Sequence, residues 1–242
     1  MKRSTIGWTD FSGGELNFVI GCTPVSEGCS HCYARAVVED RGGRDFSKVT
    51  IYPGKLRGLR TAWFTVRDGE YRRGAGTRPM AFVVDLGDLF HPDVPDAFIA
   101  EAREALAGRD DVDWQILTKR PERLKELRFS GNVWLGVTVE GPRYLGRIDQ
   151  LRQIPAKVKF VSFEPLLERV TPDLRGISWV IVGGESGVDR RPFDVAWARS
   201  LRDQCAEAGI PFFYKQGSDR WPGMDDVLDG QTFKEWPRAA KR

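Results

Sequence analysis

The sequence predicts an α/β fold built as a parallel β/α barrel of the TIM type, partial or complete, in a single domain over residues 1–242. Three observations predict it. Short apolar, β-branched runs alternate with amphipathic stretches along most of the chain. Nearly every run ends in charged or hydrogen-bonding side chains, and no repeat, low-complexity tract or linker divides the sequence. Such alternation implies parallel strands joined by right-handed crossovers. An open sheet gathers its site at one switch point, whereas a barrel collects residues from many strand ends, as here.

The elements follow in order. A strand over 17–20 leads into a cysteine-rich loop and a helix over 32–40. The run at 81–86 delivers Asp85 and Asp88, and Pro95 opens a helix over 95–107, where its missing N–H removes no helical bond. A strand at 114–117 ends in Thr118, Lys119 and Arg120 before a helix over 121–127. The run at 133–137 ends in Thr138 and Glu140, with a helix over 142–154. A strand over 159–163 delivers Ser162 and Glu164, and one over 179–182 leads into Gly183, Gly184, Glu185 and Ser186. Asp194 is placed to cap a helix over 194–208 that Gly209 and Pro211 terminate. The last strand, 212–214, ends in Lys215 and Gln216.

Two segments interrupt this rhythm: a basic insertion at 44–78 and an irregular tail at 217–242. Within the insertion stand Lys55, Arg57, Arg60, Arg67, Arg72, Arg73 and Arg78, against Asp68 and Glu70, interleaved with Trp63, Phe64 and Tyr71. Arginines there would contact phosphates while the aromatics stack on bases of a nucleotide or nucleic-acid partner; alternatively the aromatics pack back on the barrel. Overall composition is ordinary: 41% hydrophobic residues suffice for a core, and a net charge of +3 excludes a histone-like polycation. No apolar run reaches the roughly 18–20 residues that span a bilayer, and the N-terminus lacks a signal-peptide core, so a cytoplasmic protein without membrane contact is expected.

The four cysteines are unevenly placed. Cys22, Cys29 and Cys32 fall in GCTPVSEGCSHCYAR, and Cys205 stands far away among the apolar residues of a helix, where a core role is expected. That distribution suits metal binding better than two structural disulfides. Pro24, Ser26 and Gly28 build a turn-rich loop that can direct three thiolates to one centre. Three uses compete: zinc, with His31 or His91 as a fourth ligand; a redox dithiol, which leaves Cys22 unexplained; and a [4Fe-4S] cluster, whose fourth iron stays open to an exogenous ligand.

With the thiols set before the helix that follows the first strand, the chain resembles the radical S-adenosylmethionine superfamily. Its usual C-x3-C-x2-C spacing is here widened to six residues in the first gap. It is more specifically similar to a phage-associated, radical-SAM-like family of uncharacterised function. The matching stretches are IGWTD, GCTPVSEGCSHCYA, DLGDLFHPDVP, ILTKRPER, WLGVTVE, RIDQLRQIPAK, FVSFEPLL, WVIVGGESG, LRDQCAEAGIPFFYKQ and LDGQTF.

The resemblance implies a [4Fe-4S] cluster on Cys22, Cys29 and Cys32. S-adenosylmethionine would sit on the fourth iron, cleaved after electron transfer from an external one-electron reductant to give a 5′-deoxyadenosyl radical. It also implies cofactor contacts: Asp85 and Asp88 toward the methionine ammonium, Thr138 and Glu140 toward the ribose, and Gly183, Gly184 and Glu185 toward the adenine or methionine tail. A phage origin would place the protein in the host cytoplasm. Lys119, Arg120, Glu164 and Lys215 are candidate substrate contacts, or else the cations pair with Glu140, Glu164 or Glu185 across the barrel. His31 is expected as a hydrogen-bond donor of the loop and His91 as a turn residue.

Overall fold

The computed structural model describes residues 1–65, 70–74 and 76–238; Arg67, Asp68 and the last four residues of the tail lie outside the described residues. β1 (Val19–Ile20) and β2 (Thr50–Ile51) pair antiparallel as a separate ribbon. The main sheet contains β3 (Met80–Phe82), β4 (Asp113–Thr118), β5 (Val133–Thr138), β6 (Val158–Phe163), β7 (Trp179–Gly183) and β8 (Phe212–Gln216), all parallel and ordered as in the chain.

The sheet curls into a half-barrel, and one side chain shows it. Trp8 lies 4.7 Å from the Phe82 ring on β3 and 6.1 Å from Trp179 on β7, centroid to centroid. Four strand spacings in a flat sheet would separate those strands by about 19 Å. The concave floor is aromatic, with Trp134, Phe160 and Phe213 joining these rings, while alternate residues such as Trp114, Leu135, Val161 and Val180 face the helices. Gly136 is required beneath that floor, because a Cβ there would stand 2.4 Å from the Phe160 ring.

The helices are α1 (Tyr33–Ala36), α2 (Pro53–Gly58), α3 (Asp96–Ala107), α4 (Gly146–Arg152) and α5 (Val195–Ala208). Asp194 accepts the Ala196 N–H at 2.9 Å, and Gly209, at φ 65°, ends α5 in the left-handed conformation. Cys205 is fully buried on α5, as expected.

Four expectations change. The strand expected over 81–86 ends at Phe82, and Val84, at φ 59°, turns the chain before Asp85. The strand expected at 17–20 does not enter the parallel sheet. Phe11 instead flanks β3 as an isolated parallel bridge, and Gly13 and Gly14, at φ 78° and 56°, turn the chain away before a ladder can extend. The helix expected over 121–127 is a 3-10 turn, Pro121–Leu124, with Glu126 at φ 67° blocking a further turn. The helix expected over 142–154 divides into a 3-10 turn at Pro142–Tyr144 and α4.

The basic insertion is largely spent on the fold. Phe64 is buried edge-on to Phe11 and Trp114, and the Tyr71 hydroxyl donates to the Phe64 carbonyl at 2.8 Å. Arg72 donates to the Thr9 and Ser4 carbonyls, and Arg73 and Arg78 pair with Asp113. Lys55 donates to the Gly14 carbonyl. Asp113 begins β4, so the Arg73 and Arg78 contacts lie at the N-terminal edge of the sheet, whereas the start of the insertion lies beside the cysteine loop, where β2 pairs with β1 and the Phe46 carbonyl accepts the Cys22 N–H at 2.9 Å. Phe64 and Tyr71 thus follow the alternative weighed from the sequence, aromatics packed back on the barrel, while Arg72, Arg73 and Arg78 direct their donors to backbone carbonyls and Asp113. Arg57, Arg60 and Trp63 remain exposed.

Candidate metal centre

The cysteine loop crosses the C-terminal ends of β4 and β5, and buried side chains that follow both strands hold it there. From β4, Arg120 Nη2 donates to the Thr23 carbonyl at 2.8 Å, to Thr23 Oγ1 at 2.9 Å and to Cys22 Sγ at 3.8 Å. From beyond β5, the fully buried Glu140 accepts the Ser26 hydroxyl at 2.5 Å. Glu140 also pairs with Lys119, and with Arg147 at 2.8 Å. Gly28 is explained by the same contact, since a Cβ would lie 2.5 Å from Glu140 Cγ.

A buried acceptor needs neighbours, and each carboxylate at this edge has them. Asp88 accepts from Thr118 Oγ1 at 2.8 Å and from the Phe90 and Lys119 N–H groups; burial nonetheless raises its pKa. Asp85 accepts the Gly13 N–H at 3.1 Å, and burial raises it too. Burial would also raise Glu140, but Lys119 and Arg147 outweigh that and hold it below its ordinary range. Glu185 receives His31 Nδ1 at 3.0 Å together with the Arg191 backbone N–H and guanidinium; against the opposing effect of burial, these bring it to about 2. Glu164 pairs with Lys215 at 2.9 Å and accepts from Ser162.

Lys119, Lys215 and Arg120 thus all find partners within the protein, the first two by the cross-barrel pairing weighed from sequence. Thr138 and Gly183 occupy the ends of β5 and β7 on the concave face. Gly184 is needed for packing: a Cβ there would stand 2.8 Å from the backbone of Gly217 and Ser218. Sequence reasoning missed Thr23, Ser26, Arg147 and Arg191, and reduced His91 to a turn residue. His91 is buried; its Nδ1 accepts the Asp93 N–H at 3.1 Å, which leaves Nε2 to donate to Thr23 Oγ1 at 2.8 Å. A polar side chain inside the cysteine loop was the available signal for Thr23 and Ser26.

Cys22, Cys29 and Cys32 are free thiols, half-buried. Burial pushes the Cys22 thiol up to about 11 despite Arg120. At Cys29 burial acts in the same direction, but Lys119 and hydrogen bonds from the Val25 and Ser26 backbone outweigh it and lower the thiol. Among the described residues no three His, Cys, Asp or Glu side chains converge on a single ion. Mononuclear zinc takes four ligands on one ion, whereas a [4Fe-4S] cluster takes each of three thiolates on a different iron and leaves its fourth iron open. The donor set fits the cluster.

A family model described as "Protein of unknown function (DUF5131)" matches residues 3–237. The chain belongs to the DUF5131 family. No curated protein matches this DUF5131 member. Among solved structures, a mutant of spore photoproduct lyase with bound AdoMet and dinucleoside spore photoproduct matches at 10% identity and a TM-score of 0.44, covering 78% of this chain and 60% of that chain. Spore photoproduct lyase complexed with dinucleoside spore photoproduct matches at 10% identity and a TM-score of 0.43, covering 79% and 60%. The DUF5131 chain thus spans about 60% of the length of those structures. No helix among the described residues is long and apolar enough to cross a membrane.

Proposed function

We propose that this DUF5131 protein is a radical S-adenosylmethionine enzyme, with a [4Fe-4S] cluster on Cys22, Cys29 and Cys32, that acts on a substrate yet to be identified, a nucleotide or nucleic acid being the class to test first. The observation that carries the reading is a loop bearing three free thiols, held through Thr23 and Ser26 at the ends of β4 and β5, the edge where a parallel β/α barrel assembles its chemistry. When bound, the cluster with S-adenosylmethionine supplies a 5′-deoxyadenosyl radical once an external one-electron reductant has acted.

The chain's own residues do the remaining work. Glu140 and Arg120 hold the loop, and the aromatic floor of Trp8, Trp134, Phe160 and Trp179 closes the concave face against water. Thr138 and Gly183, on that face, would line the cofactor, with Asp85 near the methionine ammonium. Asp88, Glu140 and Glu185, whose oxygens are taken by neighbours, would hold the surrounding loops.

The test is anaerobic preparation with iron, sulfide and zinc analysis, then incubation with S-adenosylmethionine and dithionite. About four irons per chain and release of 5′-deoxyadenosine are expected. Stoichiometric zinc without iron would instead identify a zinc-stabilised binding protein, and an iron-loaded protein that never yields 5′-deoxyadenosine would refute the enzymatic reading.

A further inference from the structure

The geometry points to Arg120 as the positioning residue that makes Cys22 unlike the other two thiols, fixing its sulfur and drawing electron density from it so that the bound cluster is easier to reduce. This rests on the cluster reading above. Arg120 is buried, and one terminal nitrogen serves three acceptors at the start of the loop: the Thr23 carbonyl, Thr23 Oγ1 and Cys22 Sγ. Its own backbone is set by a chain of bonds. The Asp88 carboxylate takes the Thr118 hydroxyl, and Thr118 Oγ1 takes the Arg120 N–H at 2.9 Å. On the far side, His91 Nε2 closes on Thr23 Oγ1 at 2.8 Å, so the residue after Cys22 is held from two directions.

Among the described residues, Cys22 is the one thiol of the three whose sulfur lies within hydrogen-bond reach of a guanidinium. The sulfur of Cys29 meets Ser26 Oγ at 3.6 Å, and that hydroxyl donates its single proton to Glu140. Hydrogen bonds to ligating sulfurs and nearby cationic charge both stabilise the more negative, reduced cluster, which raises its reduction potential. A lysine in this place keeps the charge, but as a point charge on a flexible stem it does not hold two oxygens and a sulfur in the fixed geometry of the rigid guanidinium.

The experiment compares wild type, Arg120→Lys and Arg120→Met, each reconstituted anaerobically and titrated electrochemically with electron paramagnetic resonance as the readout. Hydrogen exchange of the segment 21–32 is measured on the same proteins without iron. The expected result is full iron loading with a midpoint potential shifted negative in Arg120→Met and less so in Arg120→Lys, and faster exchange in both. Iron-loaded variants with the wild-type potential would overturn the inference while leaving the cluster reading intact. If Arg120→Met fails to fold or to hold iron, Arg120→Lys decides alone, because a purely structural role would leave its potential unmoved. Failure of the wild type itself to bind iron would remove the cluster reading and this inference together.

Discussion

Replacing Glu140 by Gln tests whether the loop is held by charge. The side chain is fully buried and ion-paired to Lys119 and Arg147, whose side chains are 21% and 9% exposed. Removing one member of a buried ion pair costs about 3–5 kcal/mol, because the partner charge is left behind. The partial exposure of Lys119 lets water recover some of that, and Gln still accepts from Ser26, so about 3 kcal/mol is expected. At about 2–4 °C per kcal/mol for a chain of this size, the melting temperature should fall by about 6–12 °C at pH 7. The carboxyl is held below the ordinary 4.5 of a glutamate, so its contribution is present above that pH and is lost as pH falls through the lower folded value. The gap between wild type and Glu140→Gln should therefore narrow on acidification below about pH 4.5. Thermal melts of the reduced, iron-free proteins between pH 7 and pH 3.5 measure both effects. A difference under about 2 °C at pH 7, or a gap that widens in acid, would refute the reasoning.

Other outcomes are equally definite. Gly136→Ala should destabilise by about 1–3 kcal/mol in a urea melt, because its Cβ must displace the Phe160 ring, whereas Gly146→Ala, with nothing within 4 Å, should be neutral or slightly stabilising. Cys29→Ala should lose iron in anaerobic reconstitution, while Cys205→Ala, in the core beneath α5, should keep the wild-type iron content and lose about 1–2 kcal/mol of stability. A triple variant Arg57→Ala, Arg60→Ala, Trp63→Ala should retain wild-type iron content and 5′-deoxyadenosine formation, since these three side chains are exposed and the contacts around them, Arg109 on the Leu59 and Ala62 carbonyls, lie at the N-terminal edge of the sheet, away from the thiols. A tenfold fall in that activity would show that the insertion reaches the site.

The strands of the parallel sheet and their polar ends were legible because each is a local pattern: a run of three to six mostly apolar residues, then polar or charged ones. Helix limits were legible where a single residue dictates them, as Asp194 and Gly209 do for α5. The thiol triplet was legible as a motif because its spacing is short. The orientation of the basic insertion was not, since Arg73 and Asp113 are forty residues apart and nothing local announces their pairing. Nor was Arg147, which reaches Glu140 from the first turn of α4, after the 3-10 turn that divides the expected helix.

By itself the sequence determined the parallel α/β architecture, the burial of Cys205 and the three thiols as a group, since these follow from periodicity and spacing along the chain. Tertiary structure alone decided that the barrel is half-closed, that the first strand leaves the sheet, and that Glu140, Lys119 and Arg120 hold the thiol loop. The physical reason is that a buried charge must be paired with whatever the fold brings within about 3 Å, and that neighbour is set by strand order and curl, not by sequence distance.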